Sequence, residues 1–376
     1  MGDEFKRVLI VGPTPPPFHG VAVFIRDILA GAQAFQPWLI EHLDTSDRRD
    51  AENLGRWDAD NLILGFSNLA QLAARLLRHR QRLVYIPISQ NIPAFLRDAW
   101  FILSARLLGA RVAVQLHGGY FRTFYEQSPG WFRVLARFTL RRAAVLIVLS
   151  EEFRPIFSGL VDAEKIHVVE NGVPDLFADC ACPAEINREK SRTLLYLGTL
   201  NRTKGILELL EAVALLSADM PDLRLRIAGQ WSEPDARAEA EALIARHDLG
   251  ARIEFIGNVD GAAKREFLTS GALFCLPTRY PFEGQPLVLL EAMSAGLPVL
   301  STRHGAIAST VGDGVSGCLL ETPVTPAKLA QSLRDMLADP LALKRMGAAG
   351  RERFLQRYTL AVCHARLKEV FDLALK

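Results

Sequence analysis

Short β-branched and apolar runs alternate along this chain with stretches of helical period, and the alternation occurs in two separate series. A strand that must cross a helix before the next strand cannot return by a hairpin, so the pattern dictates parallel sheets wrapped by helices. In the first series strands are predicted at 7–11, 83–86, 112–116, 145–149 and 167–169, with helices at 21–29, 69–78, 94–108 and 131–142. A polar stretch without period, 180–190, separates these from strands at 193–197, 223–228, 253–256, 272–276, 298–301 and 318–320. Residues 341–376 read as helical, broken only near Gly347 and Gly350. With 376 residues the chain exceeds what one core organises. The expectation is therefore an α/β fold of two doubly wound domains, 1–185 and 186–358, with a final helix, 359–376, returning to the first. Ligands of such sheets sit beyond the carboxyl ends of the strands, so paired domains predict a cleft between them.

Composition removes several function classes. Lys and Arg number 44 against 42 Asp and Glu, and 49% of residues are hydrophobic, so the chain is neither disordered nor globally polyanionic or polycationic. Cys180, Cys182, Cys275, Cys318 and Cys363 lack paired CxxC spacing, which argues against a disulfide framework or a thiolate zinc site and fits a reducing compartment. No cleavable apolar leader is evident, and no run approaches the roughly 18 uncharged residues that cross a bilayer, so a cytoplasmic protein is expected.

The first strand exits through Gly12-Pro-Thr-Pro-Pro-Pro-Phe-His19-Gly20, a stiff loop with glycine at the mouth of a helix, where backbone N–H groups can approach an anion or a sugar. It lacks GxGxxG spacing, which disfavours a nicotinamide or flavin site; an ordinary strand-to-helix turn is the alternative. The second series opens similarly with Gly198-Thr-Leu-Asn-Arg202-Thr-Lys204-Gly205. Two cations at a helix start suit a diphosphate, whereas the Walker pattern is absent because Lys204 precedes its glycine.

The most specific signal is Pro281-Phe-Glu283-Gly284-Gln285-Pro286-Leu-Val-Leu-Leu-Glu291. Pro286 is predicted at the first helical position, setting Glu283 and the N–H groups of Gly284 and Gln285 at the helix mouth, with Glu291 more than one turn in. Carboxylates accept paired hydrogen bonds from vicinal diols, so two of them beside a phosphate-suited dipole describe a nucleotide sugar.

At these residues the chain resembles retaining glycosyltransferases of the GT-B fold, glycosyltransferase family 4 in particular. The resemblance rests on Gly198 to Gly205, Arg226-Ile-Ala-Gly229, Glu254-Phe-Ile-Gly257-Asn258 and the Glu283/Glu291 pair. In the first half it rests on Gly20, Leu116-His117-Gly118-Gly119, Val148-Leu-Ser150 and Val169-Glu-Asn171-Gly172-Val173. It implies two Rossmann-like domains facing across a cleft, the second holding the donor. Glu283 would hold hexose hydroxyls, Glu291 the ribose diol, Lys204 the diphosphate, and the backbone at Gly257 and Asn258 would face the base. Gly20 and His117 would approach from the first domain. The family's partner arginine usually follows the turn glycine, where this chain has Thr199; Arg202 is the candidate substitute. The reaction implied is hexose transfer from a nucleoside diphosphate to a hydroxyl acceptor, a lipid-linked sugar or polysaccharide, without metal or other cofactor. A nucleotide-sugar epimerase of the same fold and a non-catalytic nucleotide-sugar binder are the competing readings.

His117, directly after a strand, also reads as a capping or core histidine, and His19 and His304 read as exposed loop residues. Asp58-Ala-Asp60 has metal-chelating spacing but lies in a polar stretch with no strand leading in, and reads as a solvated loop. Charge is unevenly distributed. Between residues 66 and 150 twelve arginines (75, 78, 80, 82, 97, 106, 111, 122, 133, 137, 141, 142) face only Asp98 and Glu126, a local charge of +10. Arg133, Arg137 and Arg141 recur at helical spacing among apolar residues, which fits either an anionic membrane surface, peripheral at its inner face, or a solvated helix face. No aromatic-basic motif for nucleic acid accompanies them.

Overall fold

The computed structural model describes residues 6–16, 19–46, 59–78, 83–179 and 191–376. The chain divides into two units, 1–172 with 360–376, and 173–359. Both are parallel six-stranded sheets with helices packed on them, the α/β architecture read from the alternation.

In the first unit the strands are β1 (Lys6–Gly12), β2 (Trp38–Asp44), β3 (Leu83–Ile88), β4 (Arg111–Leu116), β5 (Val145–Val148) and β6 (Ile166–Val168), in sheet order β2-β1-β3-β4-β5-β6. Residues Val8 to Val11 are all buried, because helices cover both faces of a parallel sheet and leave no solvated alternate position. The helices are α1 (Gly20–Ala30), α2 (Ala59–Arg78), α3 (Ile92–Leu107), α4 (Phe121–Gln127) and α5 (Gly130–Leu140). Strand β2 was not foreseen. It is an edge strand whose Glu41 and His42 turn to Arg7 and to the Gly12 carbonyl, and these polar residues break the apolar run that marks its neighbours. Helix α2 begins at Ala59, so Asp60 lies in its first turn and not in the expected loop; Asp58 lies outside the described residues.

The second unit orders its strands β12-β11-β10-β7-β8-β9, from β7 (Thr193–Leu197), β8 (Arg224–Ala228), β9 (Ile253–Gly257), β10 (Leu273–Leu276), β11 (Val299–Thr302) and β12 (Gly317–Leu320). Its helices are α6 (Ile206–Leu216), α7 (Pro234–Arg246), α8 (Gly261–Thr269), α9 (Leu287–Ser294), α10 (Ile307–Thr310), α11 (Pro326–Ala338) and α12 (Pro340–Arg357). The expected domain boundary at 185/186 falls outside the described residues, and the unit already starts at Val173. Val173 bridges to Thr359, Asp175 makes a two-pronged ion pair with Arg351 at 2.6 and 2.8 Å, and Phe177 joins the second core.

The expected breaks at Gly347 and Gly350 do not occur, since α12 runs through both. A Cβ on Gly347 would stand 2.2 Å from the Gly296 carbonyl oxygen, so this glycine permits close packing of α12 on the turn after α9. The chain breaks instead at Tyr358–Thr359 and continues as α13 (Leu360–Ala374), which belongs to the first unit. There Phe371 packs against Phe35 and Trp38, and Asp372 accepts from Lys6 Nζ at 2.5 Å and Trp38 Nε1 at 3.2 Å. No helix among the described residues is long and apolar enough to cross a membrane.

Candidate functional site

In the second sheet, successive strands run one way from β7 to β9 and the other way from β10 to β12, so the order reverses between β7 and β10. The loops leaving two adjacent strands on opposite sides of such a reversal part company, and the crevice that opens there is where doubly wound sheets bind ligands. The loop after β7 carries Gly198 to Gly205, and the loop after β10 carries Pro277 to Pro286.

These two loops meet at one ion pair. Asn201 accepts hydrogen bonds from the Lys204 amide at 2.9 Å and the Thr203 hydroxyl at 3.0 Å, closing a single tight turn that carries Lys204. Lys204 Nζ then donates to Glu283 Oε2 at 2.6 Å, and the Thr278 hydroxyl donates to the same oxygen at 2.8 Å. The ammonium stands 4.7 Å from the centre of the Tyr280 ring. Glu283 is buried and Lys204 half-buried. Burial, reinforced by the Glu283 charge, raises the Tyr196 and Tyr280 hydroxyls above their ordinary pKa, so both remain protonated donors near neutral pH.

The loop is rigidly held. The Glu283 amide donates to the Tyr280 carbonyl at 2.9 Å, Arg279 N to Thr203 O at 2.7 Å, and Ala306 N to Gly284 O at 2.9 Å. Gly305, with φ +56°, makes that last contact possible: a Cβ there would lie 2.6 Å from the Glu283 carbonyl oxygen. His304, expected as an exposed loop residue, is half-buried with Nε2 2.7 Å from the Tyr280 carbonyl, and helps fix the loop.

Glu291 lies in the second turn of α9, and Lys264 of α8 donates to its Oε1 at 2.9 Å while standing 3.8 Å from Asp260. Lys264, Thr278, Tyr280 and Gly305 were not picked out from the sequence. Only the four-residue step from Asp260 to Lys264 hinted at any of them; Thr278 and Tyr280 lie on the loop of Glu283 without a spacing that marks them, and Gly305 comes from the loop after β11. Pro286 caps α9 and the helix starts at Leu287, one residue later than expected, because Pro286 has ψ 120°, outside the helical range. The Gln285 side chain turns inward to Thr310 Oγ1 at 3.0 Å and is buried, so it ties the loop to the core. Arg202 is not gathered with Lys204: its guanidinium is engaged by Glu239 on α7. Gly257 ends β9 with φ +79°, and Asn258 after it is exposed. Among the described residues no three His, Cys, Asp or Glu side chains are grouped to hold a metal.

The first unit places the remaining candidates. Gly20 opens α1 and is exposed, with His19 Nδ1 accepting from Ala22 N at 3.4 Å as its cap. His117 leaves β4 with its ring 4.6 Å from Phe24, and burial, then the neighbouring His19, lowers its pKa to about 3. Buried Tyr85 donates to Gln115 Oε1 at 2.6 Å, which uses its only proton. The same hydroxyl, 3.2 Å from His117 Nε2, therefore accepts from it, and the neutral ring keeps its lone pair on Nδ1.

Residues 183–353 match the family model described as glycosyl transferases group 1, and residues 17–172 match the glycosyl transferase 4-like domain. The chain is 26% identical over 307 residues to the alpha-maltose-1-phosphate synthase of Mycobacterium tuberculosis, with 76% of each chain covered. It is 32% identical over 207 residues to the phosphatidyl-myo-inositol mannosyltransferase of Mycolicibacterium smegmatis, covering 54% of this chain and 51% of that one. Over 206 residues it is 30% identical to the GDP-mannose:cellobiosyl-diphosphopolyprenol alpha-mannosyltransferase of Xanthomonas campestris, covering 54% and 52%. Among solved structures, a glycosyltransferase from Rickettsia africae superposes with TM-score 0.78 at 18% identity over 99% of both chains. Anabaena HepE in complex with UDP superposes with TM-score 0.73 at 18% identity, over 98% of this chain and 99% of that one. The two domain matches together take in every strand of both sheets but β1, and with the parallel six-stranded architecture of each they identify the chain as a glycosyltransferase of family 4 with the GT-B fold.

Proposed function

We propose that this chain is a retaining hexosyltransferase that moves a hexose from a nucleoside-diphosphate sugar to a hydroxyl of a saccharide or lipid-linked acceptor at the cytoplasmic face of a membrane. The observation that carries the reading is the pairing of Lys204 with Glu283 at the reversal point of the second sheet, beside the amino end of α9. Lys204 and the helix terminus stabilise the leaving diphosphate, and Glu283, already oriented by Thr278, accepts hydroxyls of the transferred sugar. Glu291, oriented by Lys264, holds the ribose diol. The new bond forms on the face the diphosphate leaves, and a phosphate oxygen takes the acceptor's proton, so the chemistry asks the protein for charge stabilisation and exclusion of water. His117, neutral near pH 7, offers Nδ1 as an acceptor for a sugar hydroxyl. Two of the relatives carry a phosphatidylinositol and a diphosphopolyprenol in their names, which supports the lipid-linked acceptor.

The test screens nucleoside-diphosphate hexoses by thermal shift, then assays transfer with each donor that stabilises the protein. A ligand at about 100 times its Kd adds roughly 2.7 kcal/mol. Transfer is expected to yield the donor's anomeric configuration and to survive EDTA. Inversion, or loss restored by magnesium or manganese, counts against the reading, as does an isomerised sugar released without acceptor. Glu291→Ala is expected to weaken the nucleoside diphosphate itself, and Glu283→Ala chiefly the sugar nucleotide and turnover, each by on the order of 1.5–3 kcal/mol.

A further inference from the structure

We propose that α5, with the outward side of α3 beside it, is a bilayer-docking surface that inserts an aromatic stripe into the interface of an anionic membrane. This goes beyond the proposed reaction, because it concerns a surface of the first unit that binds whether or not sugar is transferred.

Helix α5 buries Phe132, Ala136, Thr139 and Leu140. Its opposite side leaves Trp131 57%, Val134 71% and Phe138 47% exposed, at i, i+3 and i+7, so they form one stripe along the helix. The adjacent α3 adds Trp100 and Leu107, 52% and 87% exposed. Isolated exposed apolar residues are ordinary, but a run of them along a helix is a contact surface.

The charges decide what the surface meets. Of the twelve arginines in 66–150, several are occupied within the fold: Arg75 by the His42 carbonyl, Arg97 by Asp98, Arg106 by the Ala110 carbonyl, Arg122 by Glu126. Arg142 lies over the Phe138 ring and donates to its carbonyl at 2.8 Å. Arg133, Arg137 and Arg141 are exposed along the stripe, and their guanidinium groups meet no carboxylate among the described residues. The two acids of the region are each claimed, Asp98 buried beside Arg97 and Glu126 by Arg122. An aromatic stripe flanked by exposed arginines, with Asp98 and Glu126 of the same stretch already paired, matches the headgroup and upper acyl region of anionic lipid. A second copy of this face would set arginine against arginine.

The experiment is co-sedimentation of the full chain with phosphatidylcholine vesicles, with and without phosphatidylglycerol, at low and high salt. Wild type is expected to sediment only with phosphatidylglycerol and to be partly released by salt. Trp131→Ser/Phe138→Ser should weaken binding about tenfold or more while the melting temperature and UDP or GDP affinity stay unchanged. Arg133→Gln/Arg137→Gln/Arg141→Gln should weaken it most at low salt. Val134→Glu, a separate exposed position, should weaken it as the aromatic variant does. Wild type left in the supernatant at low salt overturns the proposal. So does unchanged binding of the aromatic variant, which means attraction without insertion. A concentration-dependent dimer abolished by Val134→Glu, or binding to an oligonucleotide in place of vesicles, also overturns it.

Discussion

An ammonium and a carboxylate withdrawn together from water stabilise a fold little, but removing one of them leaves the other charge stranded at a cost of about 3–5 kcal/mol. Lys204 and Glu283 are such a pair, with side chains 17% and 7% exposed. Lys204→Met is therefore expected to lower urea stability by roughly 3 kcal/mol and to abolish detectable transfer. Adding Glu283→Gln should recover most of that stability and none of the activity. A double variant as unstable as the single one would mean that the pair is not electrostatically coupled. Tyr85 gives a second residue-scale prediction. Tyr85→Phe removes the acceptor that holds the proton on His117 Nε2, and turnover should fall a few-fold to about tenfold, the worth of one hydrogen bond. Nitrogen chemical shifts of His117 should show the tautomer redistributing, an effect that lost packing alone would not give.

Among the elements, the loop between β10 and α9 depends on a neighbour that supplies no functional group. Gly305→Ala would push a methyl group against the Glu283 and Gly284 carbonyl oxygens at a φ of +56°, so α9 should shift and Glu283 with it. The expected outcome is a loss of more than about 2 kcal/mol in stability, with sugar-nucleotide affinity falling further than that of the nucleoside diphosphate alone. How legible such features were depended on what each obeys. Buried strands such as β1 and β7 announce themselves because both faces are covered and their inner positions, Val8 to Val11 and Leu194 to Leu197, are all buried hydrophobics. Edge strand β2 answers to Arg7 and the Gly12 carbonyl, and nothing local encodes that. Glu283 and Glu291 stood out through spacing and the proline between them. Lys264 and Gly305 reach them only once separate strands are laid side by side, and Thr278, on the loop of Glu283 itself, has no spacing that marks it. Gly347, read as a break, serves packing, since a glycine that ends a helix and one that admits a neighbour look alike in sequence.

On the scale of the whole molecule the two units differ in chemistry. His19, His117, His167 and His364, the histidines among the described residues whose pKa is lowered, all belong to the first unit, and burial is the leading cause for each. The folded unit thus binds fewer protons than the unfolded chain below the ordinary histidine value of 6.5, so its stability is full above that pH and drains away as pH falls toward about 3. Tryptophans 38, 100 and 131 in this unit should report unfolding at milder acid than Trp231 in the other. Coincident transitions would show the two units melting as one.

The order in which a ribosome delivers the chain adds one more asymmetry. Residues 173–359 form an uninterrupted unit that can close as soon as it emerges, whereas the first sheet waits for α13, made after the whole second unit, to bring Phe371 to Phe35 and Trp38 and Asp372 to Lys6. During synthesis the earlier-made half is thus the later-finished one, holding an uncovered apolar flank until 360–376 arrive. A fragment of residues 1–172 should accordingly aggregate or require a chaperone, residues 173–359 should be obtained folded, and a peptide of 360–376 supplied in trans should rescue the former.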